Sequence, residues 1–228
     1  MNEIISTNIK AYEEKYSGGY GTIYPEGHII RFLHKFLKYE FNLTEGNLLD
    51  FGCGNGTHTN YFQSEGFNAF GFDANEESIN NAKKRFPELK EKFKIHNASN
   101  SILNLFPGIK FNVIVSNQVL YYLDDDNLKN RLTEIDELLA EGGYVFLTMM
   151  GKLNAYYQDA IPINKENQDI RAVSLKGRVN EKTIINFINN EDHLKSKFNQ
   201  FKPVFSGYYD CTDRSGSGHH FQFIGKKR

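Results

Sequence analysis

The sequence predicts an α/β fold in which helices wind around both faces of a seven-stranded, mostly parallel sheet. Three observations predict it. Apolar runs of strand character alternate with helical periodicity from Asn47 to Met150. The first strand runs into the glycine-rich turn of LLDFGCGNGTHT, Leu48 to Thr59. FNVIVSN, Phe111 to Asn117, is a continuous apolar run of the kind buried on both faces of a parallel sheet. Strands alternating with helices form βαβ units, whose right-handed crossovers place helices on both sides of the sheet.

Residues 1–40 read as helical pieces broken by SGGYGTIYPEG, Ser17 to Gly27, where four glycines and Pro25 interrupt the pattern. This stretch is expected to be a helical, lid-like segment, and residues 41–228 the body of a single-domain protein. NLLDF is the first strand, a helix follows from about Thr57 to Glu65, and FNAFGFD is the second strand. The next helix runs from Asn75 to Phe86, with Asn75 as its N-cap and Glu76 and Glu77 suited to the positive end of its dipole. FKIHN is a short third strand and FNVIVSN the fourth. Leu128, Leu132, Ile135, Leu138 and Leu139 mark one face of a helix expected to stop at Gly142 and Gly143, before YVFLTMM as the fifth strand. Beyond Met150 the sequence predicts a polar stretch to about Arg178, then a helix opening near Asn180. PVFSGYYD and HHFQFIG, joined by CTDRSGSG, are expected to close the sheet as an antiparallel hairpin.

Composition narrows the function. With 228 residues, 39% of them hydrophobic, the chain is able to bury one sizeable core. Lysine and arginine total 27 against 28 acidic residues, so no global positive field gathers nucleic acid, and the GKKR tail reads as a solvated terminus. No segment approaches the roughly 20 apolar residues of a membrane span, and MNEIISTNIK has no apolar signal core; a cytoplasmic protein is expected. Cys53 and Cys211 support neither a disulfide framework nor a zinc site. The expected partner is therefore a small molecule, with neither nucleic acid, membrane nor metal.

The chemistry centres on Leu48 to Thr59. Gly52, Gly54 and Gly56 lack a Cβ, so a ligand can lie against the backbone. Ligands of open parallel sheets bind beyond the carboxyl ends of the strands, where this turn must sit. A dinucleotide fold is the nearest competitor, but its pattern is G-x-G-x-x-G, whereas here the glycines run G-x-G-x-G. Asp50, just before the first glycine, is poorly placed for pyrophosphate and well placed for an ammonium group.

DFGCGNG, the acidic end of FGFDAN, the polar end of KIHNAS, FNVIVSNQVLYYL and LLAEGGYVFLT occur in the order found in class I S-adenosylmethionine (SAM)-dependent methyltransferases, which the chain resembles over about residues 45–150. The resemblance implies a Rossmann-like methyltransferase fold and SAM as cofactor, released as S-adenosylhomocysteine (SAH). It also implies that Gly52, Cys53 and Gly54 line the methionine part with Asp50 facing its ammonium, and that Asp73 accepts the ribose hydroxyls, as a carboxylate does well. Ala74, Asn97 and Ala98 then meet the adenine, Asn97 standing where the family often has Asp. Ser116 and Gln118, with Asn117 between them, lie beside the sulfonium or the incoming substrate.

Methyl transfer from SAM expels a neutral thioether, so the leaving group needs no acid. The protein's tasks are alignment, exclusion of water and, for a hydroxyl acceptor, removal of a proton. His219 and His220 are the candidate catalytic bases, because an antiparallel last strand starts at the edge where the parallel strands end. Tyr208 and Asp210 end the preceding strand there and join the expected acceptor pocket with Tyr24 and Tyr121. Tyr20 is assigned to the cofactor side of the glycine-rich segment, which is expected to close over bound SAM. His28, His34, His58, His96 and His193 read as surface or helix residues.

The fourth strand ends in SNQVL and not in the NPPY-like sequence of enzymes that methylate amide or base amino nitrogens. A small hydroxylated acceptor fits best, and YGTIYPEGHIIRFL resembles the arrangement in methyltransferases of bacterial capsule or surface-sugar pathways. Nitrogen or carbon methylation of another metabolite, and a SAM-binding module without turnover, are the alternatives.

Overall fold

The computed structural model describes residues 23–97, 100–165, 167–175, 181–213 and 216–228. Helix α1, Gly27–Arg31, continues directly into a π-helical stretch, Phe32–Glu40. Next come β1 (Gly46–Phe51), α2 (Thr57–Ser64), β2 (Phe67–Asp73), α3 (Glu76–Arg85), β3 (Phe93–Ile95), β4 (Phe111–Ser116), α4 (Asp125–Leu138) and β5 (Leu139–Met150). The remainder forms β6 (Ile161–Pro162), β7 (Ile170–Leu175), β8 (Glu181–Asn186), α5 (Glu191–Lys197), β9 (Lys202–Tyr209), β10 (Thr212–Asp213), β11 (Gly216–Ser217) and β12 (His220–Lys226).

The main sheet has the order β3-β2-β1-β4-β5-β12-β9. Neighbours from β3 to β5 are parallel, while β12 runs antiparallel to both β5 and β9. The doubly wound, seven-stranded sheet and its C-terminal antiparallel pair are as the sequence predicts. Alternation within strands feeds two cores. Leu48, Val113, Val115, Phe146 and Ile224 pack with Ile29 of α1 and with Phe32, Leu33, Phe36 and Leu37 of the π-helical stretch. Leu49, Ile114, Leu147 and Phe223 pack on the opposite face with Leu128, Leu132 and Ile135 of α4. Asn75 caps α3 as expected, its side chain accepting the Ser78 N–H at 2.7 Å.

Two local expectations need correction. The helix anticipated near Asn180 is strand β8, which pairs with β7 and, through it, β6 in a separate antiparallel sheet. Thr183, Ile184 and Ile185 form a β-branched run that is buried throughout, which favours a strand over a helix. The helix instead starts after Asn190, whose side chain accepts the His193 N–H at 2.8 Å. Similarly, α4 ends at Leu138, ahead of the glycine pair: β5 already pairs at Leu139 with Phe111, and the register resumes at Tyr144 with Val113. Gly142, at φ 71°, serves the bulge between them.

This topology brings the ends of β1, β2, β4 and β5 to one edge, and the pairing of His220 with Met150 and Tyr209 places the start of β12 and the end of β9 there too. Among the described residues, no helix is long and apolar enough to cross a membrane.

Candidate active site

The turn after β1 is tied to the end of β2. The N–H groups of Gly52 and Cys53 both donate to the Phe72 carbonyl at 2.9 Å, and the Gly54 N–H donates to Asp73 Oδ2 at 2.9 Å. Asp73 Oδ1 accepts the Asn75 N–H at 2.8 Å, so one carboxylate joins the turn to the first turn of α3. Gly52 is at φ 76°, and a Cβ there would lie 2.4 Å from Val119 Cγ2. Only glycine fits that position. Asp50 is buried beneath the turn and accepts from Thr59 Oγ1 at 2.7 Å. Burial pushes its pKa up to about 7 against the pull of the Thr59 bond. Burial raises the Cys53 thiol well above its usual value, and also raises Asp73 despite its backbone donors.

Ser116 is fully buried, and its hydroxyl reaches back to the Phe51 carbonyl at 3.5 Å. Ala74 is half-buried, and Asn97 is exposed with its carbonyl accepting the Asn100 N–H. Tyr20 and Ala98 lie outside the described residues.

Beside this turn lies a polar cluster. Gln118, two residues beyond β4 and at φ 60°, donates its backbone N–H to Thr148 Oγ1 at 2.7 Å. Its side-chain Nε2 donates to Glu26 Oε1 at 3.0 Å and to the Tyr209 hydroxyl at 3.3 Å. Asn117 Nδ2 donates to Glu26 Oε2 at 2.7 Å, which leaves Asn117 Oδ1 to accept from His28 Nε2 at 2.8 Å. His58 Nε2 lies 3.7 Å from Glu26 Oε2. Burial lowers the pKa of His28, and lowers that of His58 to about 4. A left-handed non-glycine residue such as Gln118 is strained, and such strain persists where the surroundings over-determine it.

His220 completes the cluster. Its ring is nearly parallel to that of Tyr209, 5.3 Å away, and 5.8 Å from that of Tyr121. Its Nδ1 lies 2.7 Å from the Gly218 carbonyl, which can only accept, so Nδ1 carries the hydrogen and Nε2 the lone pair. Among the described residues that Nε2 is buried without a hydrogen-bond partner, and burial depresses the pKa of His220 to about 4. His219 belongs to a different group: its Nδ1 pairs with Asp210 at 3.0 Å, and its ring contacts Tyr208 and Phe221. Tyr121 is buried, whereas Tyr208 and Tyr24 are largely exposed.

Glu26 and Thr148 are not among the site residues that the sequence predicts, and His28 and His58 read there only as surface or helix residues. His28 and His58 are helix residues, as expected, but their side chains are mostly buried. The available signal was PEGH: Glu26 occupies the N-cap of α1, where Ser, Thr, Asp or Asn is favoured, and makes no capping bond.

A family model described as a methyltransferase domain matches residues 23–201. The chain belongs to this methyltransferase family. No curated protein matches it. Among solved structures, the methyltransferase is similar to a SAM-dependent methyltransferase from Methanosarcina mazei, with 22% identity and a TM-score of 0.66 over 86% of this chain and 96% of that one. It is also similar to the 1,6-didemethyltoxoflavin N1-methyltransferase of Burkholderia thailandensis, solved with its substrate and SAH, at 16% identity and a TM-score of 0.68 over 99% and 89% of the two chains. The N-methyltransferase NodS of Bradyrhizobium japonicum, solved with SAH, aligns at 16% identity and a TM-score of 0.56 over 88% and 84%.

The cofactor of the methyltransferase is SAM, and the residues present fit it. Asp73 accepts the Gly54, Asn75 and Ala74 N–H groups, and its two oxygens, with about four acceptor positions between them, keep capacity for a further donor such as a ribose hydroxyl. Asp50 is a buried acid whose raised pKa a nearby ammonium would lower.

Proposed function

We propose that the methyltransferase acts on a hydroxyl oxygen of a small molecule, with His220 as the base. The observation that carries this reading is the bare lone pair of His220 Nε2, buried at the edge where β5 ends and facing no donor among the described residues. A buried acceptor without a donor is costly, and an acceptor hydroxyl supplies the missing hydrogen. SAM, when bound, supplies an electrophilic methyl group. His220 takes the hydroxyl proton at Nε2, while the Gly218 carbonyl holds the ring in the tautomer this requires. Tyr209 and Tyr121 flank the imidazole and keep water from it. His219, bonded to Asp210, steadies the loop before β12.

On the cofactor side, the proposal keeps Gly52, Cys53 and Gly54 against the methionine part, Asp50 toward its ammonium, Asp73 on the ribose, and Ala74 and Asn97 near the adenine. Gln118 links the two halves, since its neighbour Val119 packs on Gly52 while its amide reaches Tyr209. The biological setting we propose is a hydroxylated precursor of a bacterial capsule or surface polysaccharide, supported by the YGTIYPEGHIIRFL arrangement.

The test is transfer from methyl-labelled SAM to a panel of sugar nucleotides and other hydroxylated metabolites, with the methyl position read by NMR. A methyl ether, lost in His220→Ala, is expected. Methyl on nitrogen or carbon, undiminished transfer by the variant, or SAM binding without any turnover would each overturn the reading.

A further inference from the structure

Glu26 places a partly buried carboxylate in the acceptor-side cluster with no lysine or arginine beside it among the described residues. Its two oxygens are held by neutral amides, Asn117 Nδ2 at 2.7 Å and Gln118 Nε2 at 3.0 Å. Among the described residues, the basic groups within ion-pair distance are two histidines, His28 at 3.9 Å and His58 at 3.7 Å, and no lysine or arginine reaches it. Both histidines have the nitrogen nearest Glu26 engaged with another group. His28 Nε2 donates to Asn117 Oδ1, and His58 Nε2 accepts the Glu26 backbone N–H at 3.4 Å, which leaves no hydrogen on the nitrogen nearest the carboxylate. Burial lowers both their pKa values, in the same direction.

A carboxylate with its side chain 30% exposed and held by neutral amides is further stabilised by a counter-charge that arrives beside it. The charge is felt inside the cluster: after burial, Glu26 is the next cause raising the Tyr209 phenol, and it acts on His220 in the same way. Among the described residues each oxygen also retains an acceptor site, because one amide hydrogen leaves a carboxylate oxygen able to take a second donor. A purely structural tie between α1 and the end of β4 needs hydrogen bonds and no net charge.

We propose that Glu26 binds a protonated amine carried by the methyl acceptor, so that the substrate is a small hydroxylated amine, such as an amino sugar or amino alcohol. This rests on the reading that the acceptor lies against His220. A protonated amine has no lone pair to attack with, so the group on Glu26 is the handle and the hydroxyl at His220 is the site methylated. The sequence class that supplies such a substrate is an amination or deacylation that exposes the amine before methylation.

Binding tests this without requiring turnover. SAH-loaded protein is titrated calorimetrically with matched pairs differing only in amine against hydroxyl, glucosamine with glucose and dopamine with 4-(2-hydroxyethyl)catechol. In parallel, carbon-13 NMR follows the Glu26 carboxyl signal as propylammonium or propanol is added. The amine member is expected to bind about tenfold more tightly, propylammonium alone to shift the Glu26 signal, and both effects to vanish in Glu26→Gln and return in part in Glu26→Asp. Unchanged SAH affinity in Glu26→Gln checks that the variant folds. Equal binding within every pair, an unmoved carboxyl signal, or a preference that survives Glu26→Gln overturns the proposal. So does a loss of SAM affinity relative to SAH in that variant, since the carboxylate would then face the sulfonium. Loss of turnover in His220→Ala leaves these readouts in place, so the two readings fail separately.

Discussion

The imidazole of His28 lies flat on the phenol of Tyr209, with ring centroids 4.0 Å apart and planes inclined by 13°. Residues 181 positions apart in the chain are thereby joined across β4, β5 and β12, because the same phenol is parallel to His220 and bonded to Gln118. Tyr209→Phe keeps the ring and loses the hydroxyl, stranding one hydrogen of Gln118. Thermal unfolding should show a loss of about 1 kcal/mol. A variant as stable as the parent would mean that the hydroxyl is idle in the folded protein.

His220→Ala should lower kcat by about 10²- to 10⁴-fold, the usual contribution of a positioned general base, while SAH affinity stays within about twofold. The activity of the parent should fall on the acid side with a midpoint nearer 4 than the ordinary histidine value, because burial holds the folded imidazole at about 4. His28, Glu26 and His219 are the charged and titratable neighbours that modulate it. An acid limb centred near 6.5 that persists in the variant would assign the base to another group.

The sheet was legible because its signals are local and redundant. FNVIVSN announces a strand buried on both faces, and Asn75 announces a cap. The acceptor side was not, because no local pattern links Glu26 to Asn117, 91 positions away, or His28 to Tyr209. His219 and His220 look equivalent as neighbours in sequence, but the pleat sends them to different partners, Asp210 for one and the Gly218 carbonyl for the other. Strand β8 was misread for a related reason: the polar residues around Ile184 and Ile185 resemble a helix opening until β7 supplies the pairing.

Two buried neutral histidines predict an acid-labile fold. His58 and His220 each titrate near 4 when folded against 6.5 when free, so between those values the unfolded chain binds more protons than the folded one. Their contribution is fully present above about pH 6.5 and is lost as pH falls toward 4. The ceiling is about 3 kcal/mol for each. Asp50, whose contribution runs in the opposite sense over this range, is removed by comparing in the Asp50→Asn background: urea titrations there at pH 7 and pH 4.5 should differ accordingly, and His58→Gln should reduce the difference. Equal stability at the two values would contradict the assignment of both rings as buried and neutral.

Asp73→Asn should weaken SAH binding by about 2–4 kcal/mol, since a charged acceptor for two hydroxyls is replaced by a neutral one. The turn itself should survive, because the asparagine oxygen can still accept from the backbone N–H groups that Asp73 now holds. Calorimetry with SAH, alongside circular dichroism of the variant, separates the loss of the ligand from the loss of the turn. Unchanged affinity would remove Asp73 from the ribose.

Asp50 offers a test of where the ammonium of the cofactor lies. Its carboxyl is buried, bonded to Thr59, and raised to about 7 chiefly by burial, with the nearby Asp73 adding to the effect. The folded acid holds its proton more tightly than the unfolded chain does. Its stabilising contribution is therefore full below about pH 4 and is lost as pH rises through 7. A cation arriving beside it reverses the shift, so binding should expel a proton, roughly half of one at pH 7 and progressively less toward pH 9. Calorimetric titration with SAH in buffers of different ionisation enthalpy measures that proton directly, and Asp50→Asn should abolish its release. A titration that takes up or releases no proton at pH 7 would place the ammonium out of reach of Asp50 and leave the carboxyl as an anchor for the first turn of α2.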